Sequence, residues 1–120
     1  MSDAPKPVGA YTPIVRAGDW LVVSGQVGMG PDGQMASGGT ASELRQAIAN
    51  LEAQLATQGA RLDQVVKTTV FLRHMNDYVV MNKVYVECFG DHRPARSAVG
   101  VAELPIGALV EIEAWAWVGA

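Results

Sequence analysis

The sequence predicts an α+β domain, a mixed sheet with two helices on one face, in the order ββαβαββ. Three observations predict it. Leu44, Ile48, Leu51 and Leu55, and again Tyr78, Met81, Tyr85 and Cys88/Phe89, recur at helical spacing. Residues 65–72 (VVKTTVFL) are β-branched and compact, as a buried strand requires. Residues 109–118 alternate, with Val110, Ile112, Ala114 and Ala116 on one side and Glu111, Glu113, Trp115 and Trp117 on the other. With 120 residues the chain has enough for one core, so residues 1–120 read as a single domain.

Each element has a local cause. Residues 1–8, which include Pro5 and Pro7, read as a flexible lead-in before a fold that begins near Tyr11. Residues 20–24 (WLVVS) form a short apolar strand, and residues 12–16 supply its hairpin partner, turning at Gly18-Asp19. Residues 25–39 hold six glycines and a Pro-Asp-Gly and read as loop, without the strand-to-helix context of a phosphate-binding fingerprint. Thr40-Ala41-Ser42-Glu43 has the spacing of a capping box and starts the first helix, which Gly59 stops. Asn76 or Asp77 caps the second helix, which ends at Gly90. Residues 97–101 form a strand, Leu104-Pro105-Ile106-Gly107 a turn, and 109–118 the last strand.

Two helices side by side cover one face of such a sheet. The other face carries two carboxylates and two indoles of the last strand, a mixture suited to an interface. That face is therefore expected to be covered by another copy of the chain; scattered surface tryptophans are the alternative.

Composition narrows the function. Hydrophobic residues make up 49% and charged residues 18%, which excludes intrinsic disorder. Nine Lys and Arg against twelve Asp and Glu give a net charge of −3, which argues against nucleic acid as partner. No run reaches the roughly 18 apolar residues of a membrane helix, and the N-terminus lacks the apolar stretch of a signal peptide. One cysteine, Cys88, leaves no internal disulfide, and its apolar helical setting reads as core. His74 and His92 have no acidic or histidine neighbours at ligand spacing, so no metal is expected. The expected protein is soluble and cytoplasmic.

Among the residues that can do chemistry, Arg96 comes first. It lies in His92-Arg93-Pro94-Ala95-Arg96-Ser97, just ahead of a strand, and its planar fork suits a carboxylate; a surface ion pair is the plainer reading. If the strands before and after Leu104-Pro105 form a hairpin, Ala98 opposes Glu111 and Arg96 opposes Glu113. Arg96 and Glu111 then share a face as diagonal neighbours about 7–8 Å apart, and a one-residue slip would separate them. In that register an anion-binding cation sits one small molecule from a candidate general base. Asn82, polar on an apolar helical stripe, is either structural glue or a substrate contact. Ser24-Gly25 offers a hydroxyl and a close-approach backbone N–H at a strand end, or is merely the exit to the loop.

Together these residues carry a resemblance. Pro94-Ala95-Arg96-Ser97, Leu104-Pro105 and Val110-Glu111-Ile112-Glu113-Ala114 resemble the signature of the reactive-intermediate deaminase (Rid) family. The similarity extends through Gly9-Ala10-Tyr11, Ser24-Gly25-Gln26, Val66-Lys67-Thr68-Thr69-Val70 and Asn82 to Tyr85, nearly the whole chain. The resemblance implies a chorismate-mutase-like fold and a homotrimer with active sites at the subunit clefts. It also implies cofactor-free hydrolysis of enamines and imines of the 2-aminoacrylate and 2-iminopropionate type to 2-keto acids and ammonia. Carried over, Arg96 binds the substrate carboxylate and Glu111 positions or activates the water. Tyr11, Ser24, Gly25 and Asn82 line the pocket, and the backbone at Ala98 completes it. Three positions depart from the family pattern. Ala10 and Pro13 stand where proline and glutamine are common, which bears on the N-terminal side of the cleft. Ala98 stands where a cysteine is common, so no thiol acts there. The rival expectations are a non-catalytic ligand-binding or chaperone-like trimer using the same clefts and a ribonuclease, the latter opposed by the acidic balance.

Overall fold

The computed structural model describes residues 4–7 and 9–120; of the expected lead-in, residues 1–3 and 8 lie outside the described residues. The chain forms β1 (Ile14–Ala17), β2 (Trp20–Val27), α1 (Thr40–Ala56), β3 (Val65–Leu72), α2 (Tyr78–Phe89), β4 (Ala95–Gly100) and β5 (Val110–Trp117). The expected ββαβαββ order and mixed sheet are what the chain adopts. Among the described residues, no helix is long and apolar enough to cross a membrane.

The sheet runs β1-β2-β5-β3-β4, with β3 and β4 parallel and the other neighbours antiparallel. Helix α1 contacts β2, β5 and α2, so both helices share one face. There the expected stripe of α1, Leu44, Ile48, Leu51 and Leu55, packs with Val70, Leu72, Val110, Ile112, Ala114 and Ala116, all buried. On α2 the buried set is Met81, Val84, Tyr85 and Phe89; Tyr78, expected in the stripe, is half-exposed. Among the described residues, nothing covers the opposite face. Trp20 packs edge-on to Trp115 and Trp117, at centroid distances of 6.0 and 5.1 Å, yet Trp115 and Trp117 remain 45% and 43% exposed.

Three local expectations are corrected. The capping box does not form: Gly39 precedes the helix, Thr40 donates to Asp77 Oδ2 at 2.7 Å, and the buried Glu43 accepts from the Leu109 N–H at 2.8 Å. Both side chains tie α1 to other elements instead of closing its own first turn. Strand β2 runs on to Val27, because Ser24 and Gly25 form a bulge inside it and do not begin the loop. The hairpin between the last two strands does not exist, because β3 inserts between β4 and β5 and pairs with both.

Candidate active site

Arg96 stands opposite Thr68 of β3, in the same row as Ala114 of β5. Thr68 and Ala114 are buried under the helices, so Arg96 projects to the helix-covered side at the sheet edge. There α2 receives it. Its Nη2 donates to the Tyr78 hydroxyl at 3.0 Å, and Nη1 lies 3.6 Å from the Met81 sulfur. Its guanidinium carbon is 4.9 Å from the Tyr85 ring centroid and 5.6 Å from that of Tyr78. Tyr85 is itself fixed by a buried 2.7 Å hydrogen bond with Thr68 and by stacking on Phe89. Burial pushes the Tyr85 phenol up, and the Thr68 bond and the Arg96 and Arg93 charges only partly oppose this. Aromatic faces attract a guanidinium without neutralising it. Among the described residues the ion pairs are Arg16–Asp19, Arg45–Glu87 and Arg61–Asp63, and none involves Arg96. Arg96 therefore keeps an undischarged positive fork beside an open cleft shared with Asn82, Tyr85, Val86, Arg93 and Pro94. Asn82 is half-buried on that wall, and Ala98 follows on the same side of β4, half-buried against the core.

Glu111 belongs to a different cleft. The ladder pairs Val23 with Ala114 and then Gln26 with Ile112, so Ser24 and Gly25 oppose Glu113 alone, the two-against-one count of a bulge. The bulge brings the Gly25 backbone against the Glu111 carboxylate: a Cβ at Gly25 would lie 2.5 Å from Oε2. Only glycine leaves that space, the close approach expected of this residue. The Ser24 hydroxyl donates to the Thr12 carbonyl at 2.7 Å, tying the bulge to the segment that carries Tyr11. Tyr11, Ser24, Gly25, Val27, Pro105, Ile106 and Glu111 line this cleft together. Burial raises the pKa of the half-buried Glu111, and the neighbouring Glu113 charge raises it further. A carboxylate made more basic in this way suits proton transfer.

The structure thus gathers Arg96, Asn82 and Ala98 on one side and Tyr11, Ser24, Gly25 and Glu111 on the other. Within one chain it does not bring the two sets together. Glu111 pairs with Phe71, three residues along β3 from Thr68 and on the uncovered face. The intended neighbours are separated by roughly 10 Å along the strands and about 9–10 Å across them, and they point to opposite faces. The expected shared face of Arg96, Ala98, Glu111 and Glu113 fails because it assumed that strands adjacent in sequence pair.

Several residues of these clefts went unnoticed in the sequence. Tyr78, Met81 and Tyr85 read as a helix stripe, and nothing local says that a strand arginine enters among them. Ile106 read as part of a plain turn. It is the one non-glycine with positive φ among the described residues, at φ 52° and ψ 31°. For a β-branched side chain that conformation costs of order 1–3 kcal/mol. Cys88 is partly buried against the core, and burial, with the Glu87 charge, pushes its thiol up. Among the described residues no three His, Cys, Asp or Glu side chains are grouped to hold a metal ion.

The chain matches the endoribonuclease L-PSP family over residues 1–118. It is 45% identical to the 2-iminobutanoate/2-iminopropanoate deaminase of Rattus norvegicus over 114 residues, covering 94% of this chain and 83% of the rat protein. It is 43% identical to a RutC family protein of Pyrococcus horikoshii, covering 96% of this chain and 92% of that one. Among solved structures, RidA from the Antarctic bacterium Psychrobacter superposes with a TM-score of 0.93 at 36% identity, covering 98% of this chain and 97% of that one. E. coli TdcF with bound serine superposes with a TM-score of 0.92 at 32% identity, covering 99% and 96%.

Proposed function

The chain belongs to the endoribonuclease L-PSP family, the reactive-intermediate deaminases, and from that premise we propose that it hydrolyses 2-imino acids to 2-keto acids and ammonia. The observation that carries this reading is the pair of complementary half-sites: an undischarged guanidinium in one cleft and a carboxylate of raised basicity in the other. The deaminase name of relatives at 43–45% identity supports it.

Arg96 takes the substrate carboxylate on its planar fork and so orients the C=N carbon. Glu111 accepts a proton from water as the oxygen bonds to that carbon. That proton passes to the nitrogen and completes the carbinolamine; the hydroxyl proton then moves through Glu111 to the nitrogen as the C–N bond breaks, so ammonia departs and the carbonyl remains. The imine is already electrophilic, so the scheme needs no cofactor. Tyr11, Ser24, Gly25, Asn82 and the backbone at Ala98 shape the walls.

The two half-sites meet in this reading because the chain works as a homotrimer, Arg96 of one copy facing the Glu111 cleft of the next. Trp115 and Trp117, left half-exposed beside Val22 and Trp20 on the uncovered face, supply the apolar surface for that assembly. The partner is a small molecule, not nucleic acid, as the net charge of −3 favours, and the setting is the cytoplasm.

The test is ammonia release from 2-aminoacrylate generated in situ, run beside a light-scattering mass at micromolar concentration. Accelerated release by a trimer is expected. Keto-acid binding without acceleration would indicate a ligand-binding trimer instead, and a monomer mass would remove the shared cleft.

A further inference from the structure

We infer that Ile106 sets substrate specificity: it is the rigid apolar wall that meets the substrate's side chain and selects imines of extended aliphatic amino acids over acidic ones. The inference rests on the deaminase reading and adds a substrate class to it.

Ile106 has no structural reason to be isoleucine. It is 51% exposed and does not belong to the packed core. Its left-handed backbone, followed by Gly107 at φ 69°, suits glycine or asparagine and strains a β-branched residue. A stability cost with no packing return inside the chain points to a use outside it. That use is visible in the cleft. Ile106 shares it with Pro105, Val27 and Tyr11, all largely apolar, while the Ser24 hydroxyl is already spent on Thr12. The charged side chain that the chain itself gives this cleft is Glu111, with Glu113 on the same face of β5. A side chain entering here therefore finds hydrocarbon on one wall and negative charge on the other. Aliphatic chains gain contact, and carboxylate-bearing chains are repelled. Because χ1 of isoleucine is stiff, the wall holds its shape.

The experiment compares wild type, Ile106→Asn and Ile106→Gly. Both replacements fit the left-handed backbone, so folding is preserved, and asparagine keeps bulk while removing the apolar surface. Ammonia release is measured on imines generated in situ from alanine, leucine and glutamate. Calorimetry follows pyruvate, 4-methyl-2-oxopentanoate and 2-oxoglutarate in parallel. In wild type the leucine-derived imine should exceed the glutamate-derived one. Both variants should lose roughly tenfold or more in kcat/KM on the leucine imine and little on the alanine imine, with the same trend in keto-acid binding. Losses equal across all three substrates would overturn the inference. So would a fall in assembly mass that slows every substrate alike, since Ile106 would then be packing against a second copy. If no imine is turned over but keto-acid binding shows the side-chain preference and the variants flatten it, the deaminase reading fails and the assignment of Ile106 stands.

Discussion

In the cleft between β4 and α2 a cation is surrounded by two tyrosine rings and a thioether; in the cleft at the β2 bulge an anion is crowded by backbone and by a second anion. The first surrounding holds charge in place without cancelling it. The second makes charge unfavourable, so the carboxylate holds a proton more readily than an ordinary one. Binding an anion needs the former and moving a proton needs the latter. A single pocket in one chain would bring the two side chains close enough to pair and so blunt both. The sheet keeps them on opposite faces.

This contrast is sharpest at Glu111. Glu111→Gln keeps shape and removes the base, so kcat should fall by about 10²–10⁴-fold while pyruvate affinity, read by calorimetry, changes little. Equal losses in rate and affinity would make Glu111 a mere partner of Arg96. The same variant should also raise the melting temperature at neutral pH. A carboxyl whose pKa is raised on folding adds stability that is full below its unfolded pKa and is lost as pH rises through the folded one. At acid pH the thermal gain should vanish.

Gly25→Ala tests the same cleft without touching its charge. The new Cβ must push the Glu111 carboxylate aside, and since the obstacle is the end of a flexible side chain the fold should survive. Turnover should drop by up to about a hundredfold with an unchanged unfolding midpoint. Wild-type turnover would show that the position of Glu111 is not critical.

On the other side, Arg96→Lys keeps the cation and loses the planar fork. A charge-assisted hydrogen bond is worth about 1.5–3 kcal/mol, so kcat/KM should fall at least about tenfold, mostly through KM. A lysine variant equal to wild type would reduce Arg96 to a structural role. The smallest effect belongs to Glu113→Gln. Burial is the larger cause of the raised Glu111 pKa and the Glu113 charge the lesser. The acid limb of the kcat/KM profile should therefore lie above the usual carboxylate range in wild type and move down modestly in this variant, with kcat on the plateau little changed.

What could be read in advance was whatever is local. The stripe of α1 and the alternation of β5 depend on residues a few positions apart, and both appear as expected. The separation of β4 from β5 could not be read, because the insertion of β3 between them is a choice made by the whole sheet. Residue type singled out Arg96; Glu111 was singled out by the family resemblance and by a hairpin register that the sheet does not form. The ring cage of Arg96 was hidden because it forms between a strand and a helix; the close approach at Gly25 was expected, but the glycine-rich run after it hid the bulge and the continuation of β2 to Val27. Ile106 carries no sequence signal of its left-handed backbone; only its place between Pro105 and Gly107, in an expected turn, marks the position.

The central claim, that each active site takes Arg96 from one copy and Glu111 from its neighbour, is tested most directly by mixing two dead variants. Arg96→Ala and Glu111→Gln chains are purified separately, unfolded, mixed in equal amounts and refolded, and ammonia release is compared with each variant refolded alone. In a random mixed trimer about a quarter of the interfaces carry both intact residues, so activity should return to about that fraction of wild type. Mixed trimers that form but stay as inactive as their parents would contradict it, because both residues would then have to come from the same chain.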